Sequence, residues 1–445
     1  MSEQVLRWRP QPPFVAEGST ILTHDAGTVL LHLDDPAAAE ALLAAWDAGM
    51  TADEGEDWFL ARGAAAMAEW LHLFDVLTHS GRLSPSIAGP DGTLVRLLRH
   101  PGDSGAYSGV PDPGDDALVL GTGVIVTRQA DRWRLESPQG RAVADVDDNV
   151  MQAVVHADSS ARVMSMPRAL LREAGILVHA ESTDRPDRSI DVWEPHDRYF
   201  HWRTRRGGNP YVVGATYPLR DRMPPLPVSD VPAHDLEFDI AAYASPEEEV
   251  LGMSVAEAMH ARASTRQSPS PMTLGQLADF CVAHRVTSTR HMSHDVEYPQ
   301  SRRLYPGGGA SYEIDLILTT RGVGDLPAGV WWLDAERVVL CRLAGDLDHV
   351  EALFADAMVS TGGVGEIQVL VTYALRMGRN SWKYEGMAYR LALLDAGVLY
   401  GHAYLVAAAL GIGICGLGNG DSAALARVTE AELVSVAEVM LTGAR

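Results

Sequence analysis

Four short segments of the chain combine residue types that can do chemistry together. The first, Arg262-Ala263-Ser264-Thr265-Arg266, puts two cations around a hydroxyl. At the end of a helix, such a cluster can hold a phosphate and polar ring atoms through charge-assisted hydrogen bonds. The second runs Arg303-Leu304-Tyr305-Pro306-Gly307-Gly308-Gly309-Ala310-Ser311-Tyr312 and leads directly into a strand-like segment. Three successive glycines let backbone approach a flat ring and present N–H groups to it. The third, Trp382-Lys383-Tyr384, precedes a long apolar stretch. A lysine beside a tyrosine becomes an acid–base pair where burial lowers the lysine pKa towards neutrality. The fourth, Gly416-Leu417-Gly418-Asn419-Gly420, is similar in composition to a dinucleotide fingerprint. It is expected to follow an apolar helix, whereas a dinucleotide turn follows a strand, so an NAD reading is excluded. These glycines are expected to end that helix and let backbone pass close to a cofactor.

Taken singly, each segment also reads as solvated charge, a flexible turn or a chance dipeptide. A metal reading has less support. His284 and His291-Met292-Ser293-His294 form a histidine-rich stretch without a His-Glu-x-x-His helix, so no metal site is expected.

The elements that must position these residues lie in 246–445, whose mixed signals imply an α+β domain. Apolar spacing predicts a helix through 246–262, and Thr273 caps another that begins at Leu274. Strands are expected within 312–320, 328–336 and 337–343, a long apolar helix over about 387–411, and a closing strand in 436–444. Upstream, 186–245 reads as a connecting arm, with the aromatics and arginines of 193–211 followed by Pro224, Pro225, Pro227 and Pro232. Such prolines favour extended, semi-rigid chain. The aromatic cluster is expected to anchor the arm to a neighbouring domain. The N-terminal region shows two strand–strand–helix–helix patterns, in 1–100 and 101–185. They are expected to be two small winged-helix-like modules, the second binding peptide.

Composition narrows the partners. The net charge of −23 over 445 residues argues against nucleic acid, which needs clustered Lys and Arg, and against anionic membranes. The three cysteines, Cys281, Cys341 and Cys415, form neither a disulfide framework nor a zinc motif, which fits a cytoplasmic protein. No secretory signal is expected from 1–13. The uncharged run 396–420 contains His402 and seven glycines, and is expected to be a core or subunit-interface helix instead of a membrane span.

The order and spacing of the segments resemble the SagB-type dehydrogenases, flavin enzymes of azoline peptide biosynthesis in the nitroreductase superfamily. The resemblance covers 191–445. It rests on Trp193, Glu194, His196, Asp197, Phe200, His201, Arg205, Arg206 and Gly207 in the arm. It continues through Arg262, Ser264 and Arg266, then Arg303, Tyr305, Pro306, Gly308, Gly309, Ala310 and Tyr312, then Lys383, Tyr384 and Ala388 to Gly397. Leu304 and Gly307 stand where that family usually has Pro and Ser, and Glu313 stands where a proline is common.

The resemblance implies an α+β, nitroreductase-like FMN domain in a homodimer. FMN would be bound by Arg262, Ala263, Ser264 and Arg266, by Pro306 and Gly307 to Gly309 along the ring near its N5, and by Gly416, Leu417 and Gly418. Arg445 would be a C-terminal phosphate ligand. The implied reaction oxidises a thiazoline or oxazoline of a ribosomally made precursor peptide to the azole, with Lys383 and Tyr384 removing the α-proton and dioxygen restoring the flavin. A cyclodehydratase is the implied partner enzyme. Two other readings stay open: an NAD(P)H-dependent flavin reductase of nitro compounds or quinones, and a flavin-less peptide-binding scaffold.

Overall fold

Along Gly92–Arg99 the buried positions Val95, Leu97 and Arg99 alternate with half-buried ones, as expected of a strand with one face on a core. The computed structural model describes residues 4–444 apart from 12, 13, 24–28, 34, 35, 91, 100–117, 141, 157–163, 181–191, 207, 208, 251, 294–296, 419, 421 and 429–431. Gly207, His294, Asn419 and Arg445 therefore lie outside the described residues. The chain divides into two units, Met1–Val212 and Val213–Arg445.

In the first unit, six antiparallel strands follow the order Val5–Pro10, Leu83–Gly89, Gly92–Arg99, Ala142–Val146, Arg132–Glu136, Ile125–Gln129. The sheet crosses the expected boundary at 100/101. Gly92–Arg99 from the first pattern pairs with Ala142–Val146 from the second. Joining them hides two strand edges that separate modules would expose. One core serves both, with Trp46, Trp70, Leu97, Leu135, Val146 and Leu170 buried together. The rings of Phe59 and Trp70 stack at 5.0 Å.

The aromatic part of the arm belongs to this unit. It forms a helix, Pro195–Arg203, which was expected only as connecting chain. The Tyr199 hydroxyl donates to buried Glu136 at 2.8 Å, and the Tyr211 hydroxyl donates to the same carboxylate. The expected anchoring is thus seen within the first unit, whose end at Val212 falls inside the expected arm.

The second unit is α+β. Its seven-stranded sheet has the order Glu237–Phe238, Val339–Ala344, Gly329–Asp334, Ile314–Thr320, Val369–Leu375, Val434–Ala444, Ile412–Leu417. All its pairings are antiparallel. Helices cover both faces, which is why strands such as Ile314–Thr320 are buried at every position, without alternation. On one face, Leu316, Leu318 and Val371 pack with Leu277 and Phe280 of helix Leu274–Val282 and with Ala392, Ala396 and Leu399 of helix Ala388–Ala409. On the other, Ile317 and Leu370 meet Val350, Leu353 and Phe354 of helix Leu347–Ser360.

The helix expected through 246–262 is two short ones, Glu247–Val250 and Val255–Ala261. A new start is enforced at Ser254, whose side chain accepts from the Glu257 N–H at 3.2 Å while the Glu257 carboxylate accepts from the Ser254 N–H at 3.0 Å. Ala388–Ala409 is the one helix among the described residues long and apolar enough to cross a membrane. Its Ala403, Val406 and Ala407 lie in the core, and Tyr389, Leu393 and Leu394 are exposed.

Candidate functional site

The triple-glycine segment makes a tight bend between the hairpin strand Glu297–Arg303 and strand Ile314–Thr320. Gly309, Ala310 and Tyr312 all hold left-handed φ values, 58°, 55° and 47°. Two of these residues carry a β-carbon, so the conformation is strained and its surroundings must impose it. Several contacts do so. The Tyr312 hydroxyl donates to the Tyr305 carbonyl at 2.9 Å, and the Ala310 N–H donates to the Gly307 carbonyl at 3.1 Å. The Gly308 N–H donates to Asp395 Oδ2 on the long helix at 2.8 Å.

Lys383 and Tyr384 meet this bend. Lys383 Nζ donates to the Gly309 carbonyl at 2.9 Å, and Gln300 Nε2 donates to the same oxygen at 3.0 Å. A β-carbon at Gly309 would collide with both the Tyr384 hydroxyl and Lys383 Nζ. Burial, and next the Arg379 charge, lower the Lys383 pKa from the ordinary lysine value. Burial pushes the Tyr384 phenol up to about 12. Burial thus makes the lysine easier to deprotonate than an ordinary one, while the tyrosine stays a hydroxyl donor.

The arginine–serine turn forms a second cluster. Arg262, Ala263, Ser264 and Arg266 are exposed, directly after helix Val255–Ala261. The turn is tied to strand Ile412–Leu417, because the Thr265 N–H donates to the Ile414 carbonyl at 2.7 Å. Tyr404 links the parts. Its hydroxyl lies 3.0 Å from Ser264 Oγ and accepts from the Gly416 N–H at 2.8 Å. The Arg262 guanidinium carbon stands 5.6 Å from the centre of its ring.

The two clusters sit on one ruler, helix Ala388–Ala409. Asp395 holds the bend and Tyr404 holds the turn, nine residues apart, or about 14 Å at 1.5 Å per residue. The structure corrects the reading of the 416–420 glycines. Gly416 and Leu417 belong to a strand, and the long helix already ends before Gly411, whose φ is 66°. The motif thus closes a strand and does not end the long helix. The NAD reading still fails, because a dinucleotide fold needs parallel strands and this sheet has antiparallel pairings. The Gly308 N–H, expected to face a ring, instead points to Asp395.

Several positioning residues gave no sequence signal. Buried Arg379 donates to the carbonyls of Leu226 (2.7 Å), Pro227 (3.1 Å), Pro299 (2.7 Å) and Ser311, tying the proline strap and the hairpin to the glycine bend. Arg376 pairs with buried Asp315 at 2.6 Å and donates to Pro227 and Val228. Glu438 lines a cleft with Tyr400, Leu417, Gly418, Gly420 and Ser435. Burial, and next the Asp356 charge, push its carboxyl up to about 7. An isolated arginine or glutamate looks alike at the surface and in a core, so only the fold distinguishes these residues.

No protein-family model and no curated protein matches the chain. Solved structures similar to it include nitroreductase-family proteins and a microcin synthetase complex. A candidate nitroreductase from Anabaena variabilis is 12% identical, with 99% of this chain and 80% of its own covered and a TM-score of 0.39. One from Ralstonia eutropha is 19% identical, covering 50% of this chain and 99% of its own, with a TM-score of 0.36. A chain of the E. coli microcin synthetase McbBCD complex with truncated pro-MccB17 bound is 17% identical, covering 43% of this chain and 74% of its own, with a TM-score of 0.33.

Proposed function

We propose that this chain is an FMN-dependent oxidoreductase that oxidises thiazoline or oxazoline rings of a ribosomally made peptide to azoles. The observation that carries the reading is the assembly of the sequence-separated clusters along one helix. The Lys383–Tyr384 pair meets the Gly309 bend at one end, and Arg262, Ser264 and Gly416 gather round Tyr404 further along. The residues fit the cofactor. Arg262, Ser264 and Arg266 offer exposed donors for a phosphate and its ribityl chain, and the missing side chain at Gly309 lets Lys383 and Tyr384 close on the bend.

Bound FMN would supply a two-electron acceptor for hydride from the ring β-carbon. The chain's own groups would do the rest. Lys383, with its lowered pKa, accepts the proton from the ring α-carbon. Tyr384, retained as a phenol, donates a hydrogen bond at the same place. The Gly307 and Gly309 backbone and Pro306, together with Gly416 to Gly418, would help to hold the flavin. The first unit is the peptide-facing part, the active form is a cytoplasmic homodimer, and a cyclodehydratase supplies the azoline. The test is mass spectrometry of an azoline-bearing peptide incubated with the FMN-loaded protein. Loss of two hydrogens per ring is expected. An unchanged peptide, with steady NAD(P)H consumption on nitroaromatics, would replace this reading with a nitro or quinone reductase.

A further inference from the structure

Glu313, one of the three departures from the resembled pattern, is fully buried directly behind the glycine bend. One of its oxygens, Oε1, accepts from Asn380 Nδ2 at 3.2 Å, while Oε2 has no donor among the described residues. Asp395 lies against it, and the two carboxyl groups line one small cavity with Tyr305, Tyr312 and Gly307. Arg379, whose charge acts on Glu313, is already committed to four backbone carbonyls and gives it no ion pair. The other ionisable groups facing the pair are the phenols of Tyr305 and Tyr312 across the cavity and those of Tyr298 and Tyr384, whose pKa values burial raises. Two carboxylates in contact without a cation of their own cannot both be ionised. Burial raises the pKa of each above the ordinary carboxyl range, and the Asp395 charge raises Glu313 further.

We propose that Glu313 and Asp395 share a single proton, and that this one-proton pair positions the Gly308 amide and thereby shapes the bend. The proton fills the gap at Glu313 Oε2. That leaves Asp395 Oδ2 to accept from the Gly308 N–H. Its removal puts two negative charges in contact. Glu313, without solvent access, cannot withdraw, whereas Asp395 is only partly buried and can turn outwards, releasing Gly308. Both residues act through Gly308 and are positioning residues. The inference rests on Gly307 to Gly309 being the cofactor-facing bend.

The test uses the full-length chain without FMN, carrying ¹³C-labelled Glu and Asp carboxyls and ¹⁵N-glycine, titrated by NMR. One carboxyl should remain protonated at neutral pH and titrate in the alkaline range. The Gly308 amide resonance should move with the same midpoint. Glu313→Gln, whose amide donates as the protonated acid does, should abolish both changes; FMN affinity is expected to fall at alkaline pH in the unaltered protein and to stay level in that variant. Two ionised carboxyls at neutral pH, or a Gly308 resonance indifferent to the carboxyl titration, would overturn the proposal. The wild-type titration decides even where the variant does not fold. Because it is read without cofactor, failure to bind FMN would count against the proposed function and leave the pair's chemistry to be judged separately.

Discussion

At the scale of single residues, the account turns on Lys383 and Gly309. A well-placed general base contributes roughly 10²–10⁴-fold to rate. Lys383→Ala should therefore lower azole formation by about that factor while FMN stays bound, as read by single-turnover kinetics and the visible spectrum. Wild-type turnover would show that another group takes the proton. Gly309→Ala should destabilise the fold by about 1–2 kcal/mol for the left-handed backbone alone. It should also weaken FMN uptake, because its methyl meets Tyr384 and Lys383. Denaturant melts with and without FMN would separate the two effects. Lys383, Gly309, Arg262 and Ser264 were legible in the sequence because unusual local chemistry marks them. Asp395 was not, since a lone acid on a helix reads as a solvated charge until Gly308 is seen to donate to it. Glu313 was visible only as a departure from an expected proline.

At the scale of elements, Arg379 is the clip that lets loop, strap and hairpin converge on the site. Replacing it with Met would strand the buried Ser311 carbonyl and remove the bonds to the part-buried carbonyls of Leu226, Pro227 and Pro299, each bond from a charged donor being worth about 1.5–3 kcal/mol. Arg379→Met should thus lose at least about 3 kcal/mol of the second unit's stability. Lys should recover only part of this loss, because an ammonium cannot fork towards several acceptors. Equilibrium denaturation would show it, and a loss under about 1 kcal/mol would mean that the clip is dispensable.

His284 predicts a pH effect in the same unit. It is fully buried, and burial, followed by the His402 charge, pushes its pKa down to about 3 from 6.5. The unfolded chain then binds the extra proton first. This contribution to stability is complete above the unfolded pKa and is lost as pH falls towards the folded one. Denaturation midpoints should fall between neutral pH and about pH 4, and His284→Asn should flatten that slope. Elements with strong periodicity, such as Leu274–Val282 and Ala388–Ala409, were readable from sequence. Helix Pro195–Arg203 was not, because its residues are aromatic and charged all round, and strand Ile412–Leu417 was masked by glycines.

At the scale of the whole molecule, the division at Val212/Val213 separates the proposed peptide-facing unit from the proposed flavin unit. The α+β class of the second unit was legible in its mixed helix and strand periods. The merging of the two N-terminal patterns into one sheet was not, because pairing between Gly92–Arg99 and Ala142–Val146 is a long-range choice that local pattern does not encode. A fragment spanning 213–445 should take up FMN yet show a raised apparent KM for precursor peptide, since tethering by the first unit raises effective concentration. An unchanged KM would remove the first unit from substrate binding. The central claim is that the Arg262–Arg266 turn and the Gly307–Gly309 bend hold one flavin mononucleotide between them. Titrating the cofactor-free full-length protein with FMN, and following flavin fluorescence and absorption, tests this most directly. The account predicts saturable binding of one FMN per chain that Arg262→Ala weakens severalfold or more; a protein that takes up no added FMN would contradict it.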